Sequence, residues 1–253
     1  MSKLAFVLVS LLTTILFVDD KGATGAVLKL HGPRPAAVHL QRGNELEAKG
    51  DVGGAIAEYR EAIRLEPGLA EAHNCLGSAY RAEGDPDNAM IEYRAALRLQ
   101  PDLPDAHNNL GLLLKSQGDL EGAVREYRTA LKLQPEVPSI HYNLGVALKA
   151  LGQLDGAIAE YREALRLQPE MSQAHNNLGT ALRDKGELGE AIAEYREAVR
   201  LKPDNAVAHY NLAIALEKRG DRRGALDQYR IAATLNPRDP DFIANAQRLA
   251  LDR

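Results

Sequence analysis

Asparagine side chains recur in this sequence at a fixed interval, and their amide groups can bind the backbone of another polypeptide. Asn109, Asn143, Asn177 and Asn211 each stand 34 residues after the one before. An amide offers a donor and an acceptor, so a row of amides can hydrogen-bond an extended peptide without demanding particular side chains. The alternative interpretation is that these asparagines only cap or solvate a surface.

Two further series of residues keep the same interval and add chemistry to the asparagines. Two tyrosines in the first series can clamp an apolar side chain between polar neighbours. The second series is cationic and favours an acidic ligand, although a solvated helix face is the alternative explanation. The first series is Asn74, Asn108, Tyr142, Asn176 and Tyr210, and the second is Arg81, Lys115, Lys149 and Arg183.

The residue types that usually catalyse reactions or bind metals do not form a catalytic or metal-binding motif. The histidines His39, His73, His107, His141, His175 and His209 are each one interval apart, too far for two to share an ion bonded at about 2.0 to 2.1 Å. We therefore interpret them as packing residues. The single cysteine, Cys75, excludes an intramolecular disulfide and a multi-thiolate zinc site. Because neither a phosphate-binding glycine loop nor a nucleophile elbow occurs, we expect no enzyme, no metal and no cofactor.

The overall composition is that of a folded protein without affinity for nucleic acid. Of the 253 residues, 45% are hydrophobic and 26% are charged, which argues against global disorder. The formal net charge is -4 and no basic tail offsets it. General attraction to phosphates is therefore not expected.

Each 34-residue unit has the pattern of two short helices joined by a tight turn. In the second unit, His73-x-x-Leu76-Gly77-x-x-Tyr80 precedes Gly84, and both it and the following Ala89-x-x-x-Tyr93 have helical spacing. A glycine in each unit can end the first helix in the left-handed conformation, and a proline stops the second. Aspartates at 51, 85, 119 and 221 provide N-caps, whereas Gln153 and Glu187 do not.

Small and aromatic residues in the second helix predict how the hairpins pack. An alanine in every unit, Ala89 for example, indicates a close approach of two helices. A tyrosine four residues later lies on the same face, where we expect it to be buried between neighbouring hairpins. These tyrosines are Tyr59, Tyr93, Tyr127, Tyr161, Tyr195 and Tyr229.

These patterns resemble the tetratricopeptide repeat, with histidine where that family often has tryptophan. The wording Ala-His-Asn-Asn-Leu-Gly at 106–111 and 174–179 resembles the repeat region of O-linked N-acetylglucosamine transferases. The resemblance implies an all-α, right-handed superhelical solenoid whose first helices line a concave groove. It also implies that Asn109, Asn143, Asn177 and Asn211 form a peptide-binding ladder in that groove.

The repeat period divides most of the chain into six units followed by a capping helix. The cap has an apolar face with Phe242 and Leu249, and a polar face with Asn245 and Arg248. A polar-backed end is needed because the last hairpin otherwise exposes the face that a neighbour would cover. The predicted units are 36–69, 70–103, 104–137, 138–171, 172–205 and 206–239, and the cap is 240–253.

The amino-terminal residues predict export. Lys3 precedes an uncharged apolar run at 4–18, shorter than a membrane span and typical of a signal peptide. We interpret 1–26 as a signal peptide, with an uncleaved membrane anchor as the alternative, and 27–35 as a linker or the remnant of a degenerate repeat. The expected location is therefore periplasmic or secreted rather than cytoplasmic.

Three functions fit these observations. The leading hypothesis is a non-catalytic scaffold that binds an extended, acidic peptide or partner protein in the groove. The first alternative is an assembly subunit or self-associating adaptor that uses the convex face or the end helices. The second is an accessory module related to the repeat regions of glycosyltransferases.

Overall fold

The computed structural model describes residues 34–251, which form thirteen α-helices and no strand. The predicted signal peptide or anchor at 1–26 and most of the predicted linker at 27–35 lie outside the described residues. Within the described part, no helix combines the length and the apolar character that crossing a bilayer requires.

Twelve of the helices form six consecutive helical hairpins, and the thirteenth helix follows the last hairpin. Odd numbers denote the first helix of each hairpin. The helices are α1 (Pro35–Ala48), α2 (Val52–Leu65), α3 (Ala70–Glu83), α4 (Pro86–Leu99), α5 (Pro104–Ser116), α6 (Leu120–Leu133), α7 (Pro138–Ala150), α8 (Leu154–Leu167), α9 (Ser172–Lys185), α10 (Leu188–Leu201), α11 (Ala206–Lys218), α12 (Arg222–Leu235) and α13 (Pro240–Leu251).

The turn inside each hairpin has the chemistry that the sequence predicts. One glycine per turn adopts a positive φ, between 74° and 91°, where a side chain would be strained. The next residue caps the second helix, and all four predicted aspartates accept a hydrogen bond there, as Asp119 does from the Gly122 amide at 2.8 Å. Gln153 and Glu187 make no such bond. The cap predictions are therefore confirmed.

The missing cap of α8 provides a stability prediction. Gln153 has φ −82° and ψ 67°, close to the −83° and 77° of the capping residue Asp51. Gln153→Asp should therefore accept a bond from the Gly156 amide and raise the free energy of unfolding by about 1 kcal/mol. Urea titration followed by circular dichroism measures the gain. Asp119→Ala is the matched control and should lose a similar amount, and an unchanged midpoint for Gln153→Asp would contradict the prediction.

The core of each hairpin is a tyrosine of the second helix lying against a glycine of the first. Five of the six tyrosines are 0% exposed and Tyr229 is 2% exposed, so their predicted burial is correct. The predicted position between neighbouring hairpins is incomplete, because each ring also packs against the first helix of its own hairpin. A Cβ built on Gly145 would be 2.7 Å from the Tyr161 ring, and one on Gly77 would be 2.8 Å from Tyr93. The ring therefore occupies the space that the glycine leaves.

The contacts between hairpins make the stack curved. Each second helix packs on the first helix of the next hairpin, and successive first helices also touch, from α1 and α3 through to α9 and α11. Second helices of neighbouring hairpins make no comparable contact within residues 34–251. The first helices therefore lie on the shorter, inner side of the curve, which we call the concave wall. The predicted all-α, right-handed superhelical solenoid is confirmed.

Helix α13 closes the stack as predicted. Phe242 and Leu249 are buried, and the Phe242 ring lies 4.6 Å from that of Tyr210 in α11, measured between centroids. The Arg248 guanidinium lies 2.8 Å from the Glu217 carboxylate, so the polar side of α13 also reaches the preceding hairpin.

Candidate functional site

The concave wall collects the side chains that the sequence indicates as a binding site. The first helices that carry them begin after an extended residue, Leu103 before α5 and Val137 before α7, so successive helices start at the same point of each repeat. Asn74 is 9% exposed, Arg81 is exposed, and the other predicted site residues are half-buried. The wall is thus a shallow surface with polar side chains set into it.

The wall asparagines are bonded to one another across the stack in a regular series, which we call the amide ladder. In each rung the side-chain Nδ2 of one hairpin donates to a side-chain oxygen of the hairpin before it, 35 residues earlier. The rungs are Asn109 to Asn74 (3.0 Å), Asn143 to Asn108 (3.4 Å), Asn177 to Tyr142 (3.0 Å), Asn211 to Asn176 (3.0 Å) and Asn245 to Tyr210 (3.1 Å).

The rungs leave part of each amide available. Asn109 uses a further N–H bond to the Ser78 hydroxyl at 3.3 Å, whereas Asn143 and Asn211 donate only within their rungs. Within the described residues, the Oδ1 atoms of Asn109, Asn143 and Asn211 accept no hydrogen bond from protein. The ladder therefore fixes the orientation of the side chains while presenting a row of acceptors along the wall.

The two tyrosines predicted as a clamp are built into the wall. Tyr142 is half-buried 6.0 Å from the Tyr161 ring, and its hydroxyl accepts the bond from Asn177. Tyr210 lies between Tyr229, at 5.5 Å, and Phe242. Both rings therefore have aromatic neighbours already, and a clamp around an apolar ligand stays a prediction.

The predicted cationic row is partly neutralised. The Arg183 guanidinium lies 3.0 Å from the Asp184 carboxylate, and the Lys149 ammonium lies 3.9 Å from the same group. Arg81 and Lys115 have no acidic partner within the part of the chain that the structure describes. Burial lowers the pKa of Lys115, since the charged form loses solvation there. Arg81 and Lys115 are therefore the two members of the row that an anion could pair with directly.

From the second hairpin onward, the histidine of each hairpin bonds the proline carbonyl of the turn before it. In five hairpins the histidine Nδ1 is 2.6 Å from a glutamate of the second helix, as for His175 and Glu194. The His175 Nε2 also bonds the Pro169 carbonyl at 2.9 Å. Burial of His175 opposes its charged form, but the Glu194 and Pro169 hydrogen bonds prevail and raise its pKa. These histidines have structural partners, and residues 34–251 contain no cluster of three metal-binding side chains.

Cys75 lies in the wall at the position where the third to sixth hairpins have asparagine and the first has Gln41. Burial, with Glu71 and Glu47 nearby, raises the pKa of its thiol to about 12, so the thiol is neutral and a weak nucleophile. A thiol cannot provide the amide donor of a rung, so the first rung is the bond from Asn109 to Asn74. The Cys75 side chain packs against the hydrophobic cluster of the first three hairpins.

Two cavities open near these residues. The larger, about 490 Å³, surrounds the turn at Gly152 and Gln153, where the ammonium of Lys185 already pairs with Asp155 and Glu187 at 2.8 Å. The smaller, about 310 Å³, lies in the wall and is lined by Val146, Lys149, Ala150, Tyr161 and Asn177. We favour the smaller as a binding site because its cation has only one distant partner.

The wall has one member that the sequence pattern does not predict. Asn245, predicted on the polar face of the capping helix, is half-buried and forms the last rung with Tyr210. The signal was present, because Asn245 stands 34 residues after Asn211. The periodicity therefore extends into α13 at this position.

Comparison with known proteins supports the architecture. The sequence profile of the family described as TPR repeat matches residues 43–84, 77–118, 113–152, 147–182 and 179–220. No curated protein matches the sequence significantly.

Solved structures share the fold at low sequence identity. PilF of Pseudomonas aeruginosa is 22% identical with a TM-score of 0.75, over 87% of this chain and 98% of that one. YrrB, described as a TPR protein with an unusual peptide-binding site, is 22% identical with a TM-score of 0.66, over 75% and 97%. MamA of Desulfovibrio magneticus RS-1 is 22% identical with a TM-score of 0.63, over 68% and 97%. At this identity the likeness concerns the fold alone.

Proposed function

Because the chain belongs to the tetratricopeptide repeat family, we propose that its concave wall binds a partner protein through an extended peptide. Members of this family are typically non-catalytic scaffolds for interactions between proteins. YrrB, which shares the fold, is described as having a peptide-binding site. The likeness of 106–111 and 174–179 to the repeats of O-linked N-acetylglucosamine transferases stays a prediction.

The amide ladder is the observation that carries this proposal. An extended peptide exposes backbone N–H groups that need acceptors. The wall offers the Oδ1 atoms of Asn109 and Asn143 on adjacent hairpins, and that of Asn211 two hairpins further on. The rungs hold these side chains in place before the ligand arrives, which reduces the entropy lost on binding. Recognition of the backbone alone would tolerate many sequences, so side-chain preference must come from other parts of the wall.

Removing the ladder asparagines should weaken peptide binding at least tenfold, about 1.4 kcal/mol. The probes are peptides selected on the protein from a phage-displayed random dodecapeptide library, with affinities measured by fluorescence polarisation. The variant is the quadruple alanine replacement of Asn109, Asn143, Asn177 and Asn211. Since these residues also connect hairpins, its melting curve must show a folded chain at the measuring temperature.

A matched control changes as many side chains outside the wall. Arg94, Arg128, Arg196 and Arg230 are exposed on the second helices, and their quadruple alanine variant should bind within twofold of the parent chain. A folded asparagine variant with undiminished affinity would refute the proposal, and so would a library from which no peptide is selected.

The alternative, an assembly subunit that uses the convex face or the end helices, stays a prediction. It is distinguished by the same pair of variants, because it would make a partner protein sensitive to the arginine set and insensitive to the asparagine set.

A further inference from the structure

The hydroxyl groups of the core tyrosines reveal a difference between the middle and the ends of the wall. In four hairpins the hydroxyl bonds a side chain of the first helix that stands 15 or 12 residues earlier. These pairs are Tyr59 with Asn44 (2.8 Å) and Glu47 (2.9 Å), Tyr93 with Ser78 (3.2 Å), Tyr195 with Thr180 (3.1 Å) and Tyr229 with Glu217 (2.9 Å).

The third and fourth hairpins break this rule. The residues 15 and 12 positions before Tyr161 are Val146 and Lys149, and those before Tyr127 are Leu112 and Lys115. None of these four side chains accepts a hydrogen bond. Both tyrosine hydroxyls are buried and have no hydrogen-bond partner in the described part of the protein. A buried hydroxyl without a partner is unfavourable, and native proteins rarely keep one without a reason.

Tyr161, whose hydroxyl has no partner among the described residues, borders the cavity in the wall. Tyr161, Val146 and Lys149 all line it, together with Ala150 and Asn177. Burial raises the pKa of Tyr161, so the hydroxyl keeps its proton and acts as a donor. The Lys149 side chain is 31% exposed, and its ammonium is 3.9 Å from Asp184. The cavity thus lies beside a buried tyrosine whose hydroxyl lacks a partner within residues 34–251 and beside a cation that is only weakly paired.

The end hairpins show which group completes such an arrangement. Glu47 and Glu217 occupy the offset that Lys149 has in the fourth hairpin, and each carboxylate accepts the tyrosine hydroxyl at 2.9 Å. Where the fold provides the carboxylate itself, the hydroxyl is satisfied internally. Where lysine replaces glutamate, the hydroxyl remains and the charge is reversed, so a carboxylate from outside would satisfy both.

We propose that this cavity in the fourth hairpin binds an acidic side chain of the peptide, whose carboxylate accepts the Tyr161 hydroxyl and pairs with the Lys149 ammonium. The inference rests on the proposed function, because it identifies a residue class within the same bound peptide. The third hairpin shares the unsatisfied hydroxyl and the lysine, in Tyr127 and Lys115.

A small carboxylate tests the cavity without any peptide. The probe is N-acetylglutamate N-methylamide, titrated to millimolar concentration, and its neutral counterpart is N-acetylglutamine N-methylamide. Nuclear magnetic resonance follows the Ala150 backbone amide and the Asn177 side-chain amide. The glutamate compound should shift both signals saturably and the glutamine compound should not. Tyr161→Phe and Lys149→Met should each weaken this binding about tenfold.

Tyr195→Phe is the matched control, because its hydroxyl already has a partner in Thr180 and Tyr195 does not line the cavity beside Lys149. Its affinity for the glutamate compound should match that of the parent chain. Tyr161→Phe removes no hydrogen bond made by the protein, so its melting temperature should not fall and lost binding reports the site. Equal shifts with both compounds, no shift, or full binding by Tyr161→Phe would overturn the inference.

The two proposals fail in different ways. If selected peptides bind the wall without any preference for acidic residues and Tyr161→Phe binds them normally, the carboxylate site is refuted and peptide binding stands. If the glutamate compound binds at Lys149 and Tyr161 while the library yields no peptide, the carboxylate site stands and the proposed function is refuted.

Discussion

Replacing Tyr127 by alanine should lower the free energy of unfolding by about 3 to 5 kcal/mol, the usual cost of removing a large buried aromatic side chain. The ring is 0% exposed and belongs to the hydrophobic cluster that spans the third to sixth hairpins. It lies against Gly111, where a Cβ would be 2.7 Å away, and the glycine has no side chain to fill the space left behind. The loss should also weaken adjacent hairpins, because each repeat is stabilised mainly by its neighbours.

Urea unfolding followed by circular dichroism measures this loss. Tyr127→Phe is the matched control, since it keeps the ring and removes a hydroxyl that has no protein partner. Its stability should stay close to that of the parent chain or rise. A loss below about 1 kcal/mol for Tyr127→Ala would show that the cavity collapses, contrary to the close packing inferred here.

Overpacking the same contact should also be costly. Gly145→Val should destabilise the protein by about 1 to 3 kcal/mol, because its Cβ would start 2.7 Å from the Tyr161 ring and its methyl groups would extend further. The ring is 0% exposed, so displacing it would disturb the side chains packed around it. Thermal and urea unfolding both report the change.

The sixth hairpin supplies a natural comparison for this variant. It has Ala213 where the other hairpins have glycine, and both Ala213 and Tyr229 are buried there. One methyl group is therefore accommodated when the neighbouring packing suits it, and Ala213→Gly should cost no more than about 1 kcal/mol from helix propensity. If Gly145→Val proved as stable as the parent chain, the glycine would not be required by the ring.

The sequence predicted the elements well because their determinants are local. Gly152 and Asp119 act within a single turn, and the 34-residue period indicates which residues share a face. The rungs of the ladder were not predicted, because a bond from Asn177 to Tyr142 depends on how two hairpins stack. The period places equivalent residues in a row without giving the distance between adjacent members.

The ion pairs and hydrogen bonds of the wall could not be predicted from residue spacing either. Lys149 and Arg183 were correctly placed in one series, but their approach to Asp184 depends on side-chain directions that spacing does not give. The unsatisfied hydroxyl of Tyr161 was also missed. Val146 stands 15 residues before Tyr161. The bond from Tyr195 to Thr180 is needed to show that the residue at this spacing is the usual partner of the hydroxyl.

The amide ladder also bears on how such a wall can change its length during evolution. Each rung joins a donor to an acceptor in the adjacent hairpin, and either asparagine or tyrosine serves as the acceptor. If residues 138–171 were deleted, Asn177 would meet Asn108 in place of Tyr142, and duplication of one unit would insert one more rung. Whole hairpins can thus be gained or lost without leaving an amide donor unpaired. The length of ligand that the wall contacts can therefore change by one hairpin at a time.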